Sequence, residues 1–378
     1  MLHQNRILKS ILSGRFLPLV VLVFFSSTVA GLGSVVWRQY YHIRLHYTWE
    51  EAQSYCRLHH NDLVTIYTEA ESDGFRLDSY EAWIGLYRYQ GLSSSRPWYW
   101  SHGGNYSYYE TKWAHYESQY SGDCAHVSYS NKRVYGSDCR TYYFFICHEY
   151  HGLNLEHLRY KFIPQSKTWS EAQQYCRDKY DDLAYITYFA PVEEEDFPVW
   201  IGLHRDGETW KWSTGMSNYE KWTSGEPGED NDCVTISSLS KNMDTRNCSD
   251  RFPFICIKDN LLLVKENKTW EEALDHCRGL TPPTHYTRYD LVSVQLGAEY
   301  DYVMRKIMEA DTEEVWTGLR FLAGHWLWVN GADMMYPDLP LCPVDFQHCG
   351  SMSKNNNTEG FQTRDCTETR NFLCYRKN

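Results

Sequence analysis

The chain has 378 residues, of which 42% are hydrophobic and 16% aromatic, and its formal net charge is −12. This length suits two or three domains of about 100–150 residues, each with its own packed core. An acidic chain without a Lys/Arg run beyond its N-terminus excludes nucleic acid as an expected partner.

Thirteen cysteines are the strongest signal in the composition. No two of them form a C-x-x-C pair, and no Cys/His group has the spacing of a zinc site. The cysteines therefore form disulfides in an oxidising compartment or remain reduced thiols in the cytosol. The N-terminal segment distinguishes these two alternatives.

The N-terminus has the order of a secretory signal. Basic residues up to Arg15 precede an apolar run over 16–25, and small residues up to Ala30 provide a cleavage site. We predict a signal peptide over residues 1–34 and a secreted mature chain. The alternative is an uncleaved signal anchor, because the uncharged stretch before Arg38 is long enough to span a bilayer. Both alternatives place the rest of the chain outside the cell.

Sequons for N-glycosylation agree with an extracellular route. They begin at Asn105, Asn247, Asn267 and Asn356.

A nine-residue motif occurs three times, over 48–56, 168–176 and 269–277. Each copy begins with Thr and has Glu three residues later, which is the capping box of a helix N-terminus. Trp, Ala and Cys follow at positions i, i+3 and i+7, on one face of a helix. Each copy therefore predicts an amphipathic helix that carries a Cys on its buried face.

Further motifs follow each predicted helix in the same order. They are a Trp-x-Gly-Leu strand at 83–86, 200–203 and 316–319, a Trp-x-Trp strand at 98–100, 210–212 and 326–328, and a closing Cys pair eight residues apart at 139/147, 248/256 and 366/374. A threefold repeat of this kind predicts three copies of one structural unit.

These motifs together resemble the C-type lectin-like domain, and the arrangement of several copies resembles the macrophage mannose receptor group. The resemblance implies an α+β fold in which each copy has two helices, two small antiparallel sheets, a long loop region and two disulfides. We predict domain 1 over 37–150, domain 2 over 155–258 and domain 3 over 260–377. The linkers are short, so we expect the domains to lie close together.

The resemblance also implies a disulfide pairing, which sequence alone cannot fix. It implies long bonds Cys56–Cys147, Cys176–Cys256 and Cys277–Cys374, and short bonds Cys124–Cys139, Cys233–Cys248 and Cys349–Cys366.

Sugar-binding members of this family hold calcium in the long loop. The ligands come from a Glu-Pro-Asn type triplet, a Glu before the next Cys and a Trp-Asn-Asp triplet. Domain 2 approaches this pattern with Glu226, Asn231 and Asp244, but it has Gly228 and Thr245 where two further ligands belong. Calcium prefers six to eight oxygen ligands, so we expect weak calcium binding at domain 2 at best. Domains 1 and 3 depart from the pattern at the ligand positions.

Two function classes remain open. The first is a lectin that binds glycans, and the second is a module that recognises an extracellular protein without calcium. The sequence contains no G-x-S-x-G, H-E-x-x-H or phosphate-binding glycine loop, so we expect no enzyme.

Cys342 is left over from the predicted frame of six bonds. It lies seven residues before Cys349 in a Pro-rich segment. We predict a disulfide from Cys342 to a second chain. The alternatives are a shielded free thiol and replacement of Cys349 as the partner of Cys366.

Overall fold

The computed structural model describes residues 36–89, 97–103, 106, 111–114, 122–150, 158–186, 192–280, 288–295, 297–334, 336, 339–340, 343–344, 346–355 and 361–377. Each of the three sequence repeats contributes seven strands. Repeat 1 contains β1 (Arg38–Tyr47), β2 (Asp62–Leu63), β3 (Glu81–Tyr87), β4 (Tyr99–Trp100), β5 (Cys124–Ser128), β6 (Arg133–Ser137) and β7 (Tyr143–Tyr150). Repeat 2 contains β8 (Leu158–Lys167), β9 (Asp182–Leu183), β10 (Pro198–Asp206), β11 (Thr209–Trp212), β12 (Cys233–Ser237), β13 (Met243–Arg246) and β14 (Phe252–Asp259). Repeat 3 contains β15 (Leu261–Lys268), β16 (Tyr289–Leu291), β17 (Glu314–Leu322), β18 (His325–Trp328), β19 (Cys349–Ser353), β20 (Phe361–Arg364) and β21 (Arg370–Arg376).

The predicted helices begin at the three capping boxes. They are α1 (Trp49–His59), α3 (Trp169–Lys179) and α4 (Trp270–Gly279). The described residues form two further helices, α2 (Glu69–Asp73) and α5 (Ala298–Ile307). In α1, α3 and α4 the N-cap Thr and the Glu three residues later satisfy each other's backbone N–H groups. Trp, Ala and Cys of each motif are buried as predicted. Within the described residues, no helix is long and apolar enough to cross a membrane.

The strands form three sheets of seven strands, which confirms the α+β class. Each sheet contains one parallel pair and is therefore mixed, whereas the resemblance implied two small antiparallel sheets in each copy. The sheet of repeat 3 uses only strands β15 to β21. The other two sheets each combine strands of repeats 1 and 2.

Repeats 1 and 2 exchange their N-terminal elements. Strands β1 and β2 pair with β14 of repeat 2, whereas β8 and β9 pair with β7 of repeat 1. We name the unit of residues 38–73 and 198–259 the first composite domain, and the unit of 81–150 and 158–183 the second composite domain. The predicted ranges 37–150 and 155–258 are thus sequence repeats, and neither is a compact unit by itself.

The helix contacts repeat faithfully across this exchange. The indole of Trp49 donates a hydrogen bond to the carbonyl of Ile201, at 2.8 Å, and the indole of Trp169 donates to the carbonyl of Ile84, also at 2.8 Å. In repeat 3 the indole of Trp270 makes the equivalent bond within its own repeat. The same indole hydrogen bond therefore occurs in all three repeats, and in repeats 1 and 2 the carbonyl that accepts it belongs to the other repeat.

The exchange corrects two of the six predicted disulfides. The structure joins Cys56 to Cys256 and Cys147 to Cys176, so the predicted bonds Cys56–Cys147 and Cys176–Cys256 are wrong for this structure. The physical reason is that the Cys of each N-terminal helix travels with that helix into the other composite domain. The remaining four bonds have the pairing that the resemblance implied.

The short linker between the repeats favours this arrangement. Strand β7 ends at Tyr150 and β8 begins at Leu158, and these two residues are partners in an antiparallel ladder. Strands β7 and β8, which are consecutive in sequence, are therefore direct neighbours in the sheet, which is the commonest relation between successive strands. Without the exchange, β7 would pair with β1.

The Gly of each Trp-x-Gly-Leu strand allows the exchanged segments to approach closely. A Cβ atom on Gly85 would lie 2.9 Å from the carbonyl oxygen of Leu183, and one on Gly202 would lie 2.8 Å from that of Val64. Because a Cβ cannot occupy that space without moving the backbone, only Gly fits at these crossings.

Two buried histidines and one half-buried histidine, His42, lie where the two composite domains meet. They are His42 and His46 on β1 and His126 on β5. The His46 ring contacts the ring of Phe144 at 4.5 Å, and its Nδ1 lies 2.5 Å from the Ser166 hydroxyl. Burial lowers the pKa of His42 to about 4 and the pKa values of His46 and His126 to about 3. The three rings are therefore neutral near pH 7.

Glu81 lies in the same junction and is nearly buried. Burial raises the pKa of the Glu81 carboxyl to about 7, although Arg44 at 2.8 Å and the Ser128 hydroxyl both lower it. One ion pair and one hydrogen bond thus offset only part of the desolvation.

Repeat 3 packs against the first composite domain through a polar junction at Asp259. Its carboxylate accepts hydrogen bonds from the Tyr302 hydroxyl at 2.5 Å and from the Asn61 amide at 3.1 Å. The Arg38 guanidinium lies 4.7 Å from the centre of the Tyr302 ring. These contacts link repeats 1, 2 and 3 at one point, as the short linker predicts.

Candidate functional site

The loop between β11 and β12 carries the residue that most resembles a calcium ligand, Glu226. Its Oε2 accepts hydrogen bonds from the backbone N–H of Gly228 at 2.9 Å and of Thr245 at 3.0 Å. The Thr245 hydroxyl also donates to the same oxygen. The carboxylate is therefore held by this chain's own donors.

Burial and these hydrogen bonds act on the pKa of Glu226 in opposite directions. Burial has the largest single effect and raises the pKa, but the hydrogen bonds from Thr245 and Gly228 together outweigh it, so the pKa of the carboxyl is below its ordinary value. The ionised Glu226 side chain thus connects the loop to strand β13 through hydrogen bonds.

Asn231 and Asp244 are not arranged around that carboxylate in the same way. Asp244 precedes Thr245 on β13, where Thr245 is buried and Asp244 half-buried, so the two side chains leave opposite faces of the strand. An Asp244 oxygen lies 3.7 Å from the Arg246 guanidinium. Asn231 contributes its backbone carbonyl to Arg205, at 3.5 Å.

In the described part of the chain, another group of side chains of the kinds that bind metal ions lies close together. Glu271 lies within 4.8 Å of Cys349 and Cys366. Those two sulfurs are bonded to each other, and the Glu271 carboxylate lies 2.9 Å from the Arg320 guanidinium, so this group is not a metal site.

Arg205 fixes the other end of the loop, and the sequence interpretation missed its role. Its guanidinium donates to the Gly228 carbonyl at 2.6 Å, lies 3.3 Å from the Asp232 carboxylate and stacks 4.8 Å from the Trp210 ring centre. The loop therefore has an Arg-Trp-Asp clamp at its base.

The same clamp occurs in repeat 1. Arg88 lies 3.1 Å from Asp123 and 4.9 Å from the ring centre of Trp98. In repeat 3, aromatic Phe321 and His348 take the two charged positions and stack at 5.6 Å. A signal was available in the sequence, because Arg follows the Trp-x-Gly-Leu motif by the same interval in repeats 1 and 2.

A family comparison matches all three repeats. The Lectin C-type domain matches residues 45–149, 165–258 and 266–376. The chain belongs to the C-type lectin domain family. It is a lectin-like recognition protein with three copies of that domain.

Relatives of this C-type lectin protein include large receptors. The secretory phospholipase A2 receptor of Bos taurus is 26% identical over 308 residues, which are 67% of this chain and 21% of the receptor. C-type mannose receptor 2 of Homo sapiens is 23% identical over 284 residues, 59% of this chain and 19% of that receptor. The chain thus spans about a fifth of these relatives. Among solved structures, the C-type lectin CEL-I from Cucumaria echinata is 21% identical, covers 31% of this chain and 89% of its own, and has a TM-score of 0.27.

A groove of about 570 Å³ lies on the outer face of helix α1 of this C-type lectin protein. Its lining residues are Tyr47, Glu50, Glu51, Ser54, Tyr55, Leu58 and Arg251. Arg251 belongs to repeat 2 and pairs with Glu51 at 2.7 Å, so the exchange creates this groove from two repeats. Leu58 is 77% exposed, whereas repeats 2 and 3 have Asp178 and Gly279 at that position.

Two of the four sequons lie within the described residues. Asn247 and Asn267 are both exposed, and the Asn247 side-chain oxygen accepts a hydrogen bond from the Ser249 backbone at 3.0 Å. Asn105, Asn356, Cys342 and the predicted signal peptide over 1–34 lie outside the described residues.

Proposed function

We propose that this protein is an extracellular lectin-like recognition protein that binds carbohydrate without calcium. The observation that carries the proposal is the state of Glu226, whose Oε2 accepts three hydrogen bonds from Thr245 and Gly228. Calcium needs six to eight oxygen ligands, and the candidate set offers three side chains that do not share one face. The degenerate ligand positions thus support recognition through other surfaces.

An extracellular location is supported by the cysteine frame. The structure contains six disulfides, and such bonds persist in oxidising compartments. We propose that the signal over 1–34 is cleaved and the chain secreted, with an uncleaved anchor as the alternative. N-terminal sequencing of protein from the culture medium distinguishes the two, because an intact N-terminus in the membrane fraction would establish the anchor.

We also propose that the protein has no catalytic activity. Glu81 has a pKa of about 7, which would suit a general acid or base near neutral pH. Its carboxyl lies in the junction between the composite domains. A buried carboxyl that is paired with Arg44 supports a structural role for Glu81.

A second candidate function is recognition of an extracellular protein. The groove on α1 favours it, because an exposed Leu58 beside Glu50 suits a segment with an apolar side chain next to a cation. Two of the relatives described above are named as receptors, one of them for a secreted protein, phospholipase A2. For this chain such a partner is a proposal.

A glycan array with the secreted protein tests the first candidate against the second. Binding that is equal in 1 mM calcium and in excess EDTA supports calcium-independent carbohydrate recognition. Binding that EDTA abolishes would contradict the calcium-free mechanism, and no glycan binding would favour the protein partner. In calorimetry with calcium on the same protein, we expect no binding with a dissociation constant well below a millimolar.

Cys342 is proposed to bond to a second chain, since the other twelve cysteines are paired. A gel without reductant should show a covalent species that the Cys342→Ser variant lacks. A monomeric wild-type protein that alkylates at Cys342 under native conditions would refute the covalent partner.

A further inference from the structure

Corresponding hairpins of the three repeats present different side chains. In repeat 1, Tyr87 is the ladder partner of Tyr99, and Tyr89 lies two residues beyond Tyr87 on the same side of the chain. The repeat 2 positions are occupied by His204, Lys211 and Asp206, and the repeat 3 positions by Arg320, Leu327 and Leu322. Only repeat 1 has three aromatic rings there.

The three tyrosines form one cluster. Ring centres lie 5.4 Å apart for Tyr87 and Tyr89, 6.3 Å for Tyr87 and Tyr99, and 5.7 Å for Tyr89 and Tyr99. Tyr89 is 67% exposed and Tyr99 is 43% exposed. The cluster is therefore a surface platform, and its rings are open to a ligand.

Helix α3 supports the platform from below. The Tyr87 ring packs 5.0 Å from the ring of Trp169, whose indole is fixed by its bond to Ile84. The Tyr87 hydroxyl donates to the Tyr89 hydroxyl at 3.1 Å, which leaves the Tyr89 proton free to donate to a ligand. The platform is thus preorganised, because its lowest ring is held by an element of the other repeat.

Repeat 2 shows what the same hairpin does without a ligand-binding platform. Its exposed positions hold an ion pair between Lys211 and Asp206 at 2.7 Å, which water solvates well. Exposed Tyr rings lack that solvation and leave apolar faces in water. A pyranose ring complements such a surface, since its C–H face packs on an aromatic ring while its hydroxyls reach the phenol groups.

We propose that Tyr87, Tyr89 and Tyr99 form a calcium-independent stacking site for a neutral, β-linked oligosaccharide of glucose or N-acetylglucosamine. Equatorial substituents in these sugars leave flat C–H faces that can stack on Tyr89 and Tyr99. None of the three residues has a carboxylate, so the site has no means of holding calcium. The inference rests on the carbohydrate binding proposed above and assigns it to one surface.

The decisive variant is Tyr89→Asp/Tyr99→Lys, which installs the ion pair of repeat 2 on the repeat 1 hairpin. Both positions are exposed, so the fold should tolerate the change, and thermal unfolding verifies this. Tyr89→Phe is a second, milder variant that keeps the ring and removes one hydroxyl. Leu322→Asp is the matched control, because it changes the corresponding exposed position of repeat 3.

The full secreted chain is titrated with cellopentaose, laminaripentaose and chitopentaose in EDTA. We expect at least one of them to bind, the double variant to lose about tenfold or more in affinity, and Leu322→Asp to bind like the wild type. Equal binding by the double variant would overturn the stacking site and leave the proposed function intact. If no sugar binds to the wild type in EDTA, the site is overturned; the array then shows whether carbohydrate recognition fails as well.

Discussion

A cut between Tyr150 and Leu158 tests the exchange of repeats 1 and 2 directly. A protease sequence inserted into the 151–157 segment divides the chain between the two repeats. In the exchanged structure both Cys56–Cys256 and Cys147–Cys176 cross this cut. The cut protein should therefore migrate as one covalent species without reductant and as two fragments with it.

Loop entropy does not choose between the two pairings, so this experiment is needed. The chain-entropy model gives about 5 kcal/mol for the bond with a sequence separation of 200 and about 3.5 kcal/mol for the one with a separation of 29. The pairing within repeats would close loops of about 90 and 80 residues, worth about 4.5 kcal/mol each. The two sums are nearly equal.

Cysteine variants sharpen the assay. The pair Cys56→Ala/Cys256→Ala should leave the cut fragments joined through Cys147–Cys176, and removing both pairs should release them. Removal of either disulfide alone should also lower the free energy of unfolding by several kcal/mol, up to the values given above. Release of two fragments from the cut wild-type protein without reductant would refute the exchange.

Four further measurements concern the loop of repeat 2, the histidines between the composite domains, Glu81 and a sequon. Glu226→Gln is expected to lower the free energy of unfolding by about 1–3 kcal/mol, because Thr245 loses a charged acceptor, and thermal unfolding should show the same loss in calcium and in EDTA. The free energy of unfolding should fall as the pH is lowered from about 6.5 to about 4, because the unfolded chain takes up protons on histidines whose folded pKa values are about 3 to 4. Each of these histidines should lower the free energy of unfolding by about 3 kcal/mol or more at pH 4. A loss of stability towards high pH instead would contradict this. Those histidines are His42, His46 and His126. Glu81, with a folded pKa of about 7, opposes the trend between about pH 4.5 and 7, so Glu81→Gln should steepen the decline seen by denaturant titration. Asn247→Gln should remove one glycan from the secreted protein on a gel, and an unchanged mobility would exclude modification there.

Local pattern was sufficient for the helices and for the identity of the family. The capping boxes predicted the start of α1, α3 and α4, because that motif satisfies helix N-terminal donors with residues close in sequence. The Trp, Ala and Cys spacing predicted the buried face for the same reason. For the loop of repeat 2, the sequence pattern supplied Glu226 as a candidate ligand, and that assignment stays a prediction.

Long-range partners were decided only by the tertiary structure. Trp49 and Trp169 have the same neighbours in sequence and make the same indole bond, so nothing local tells which repeat supplies the acceptor. In the tertiary structure β7 pairs with β8, the next strand in sequence, and each of these two N-terminal helices lies against the other repeat. The same holds at Glu226, whose partner Thr245 is 19 residues away and becomes a neighbour only when β13 pairs with β12.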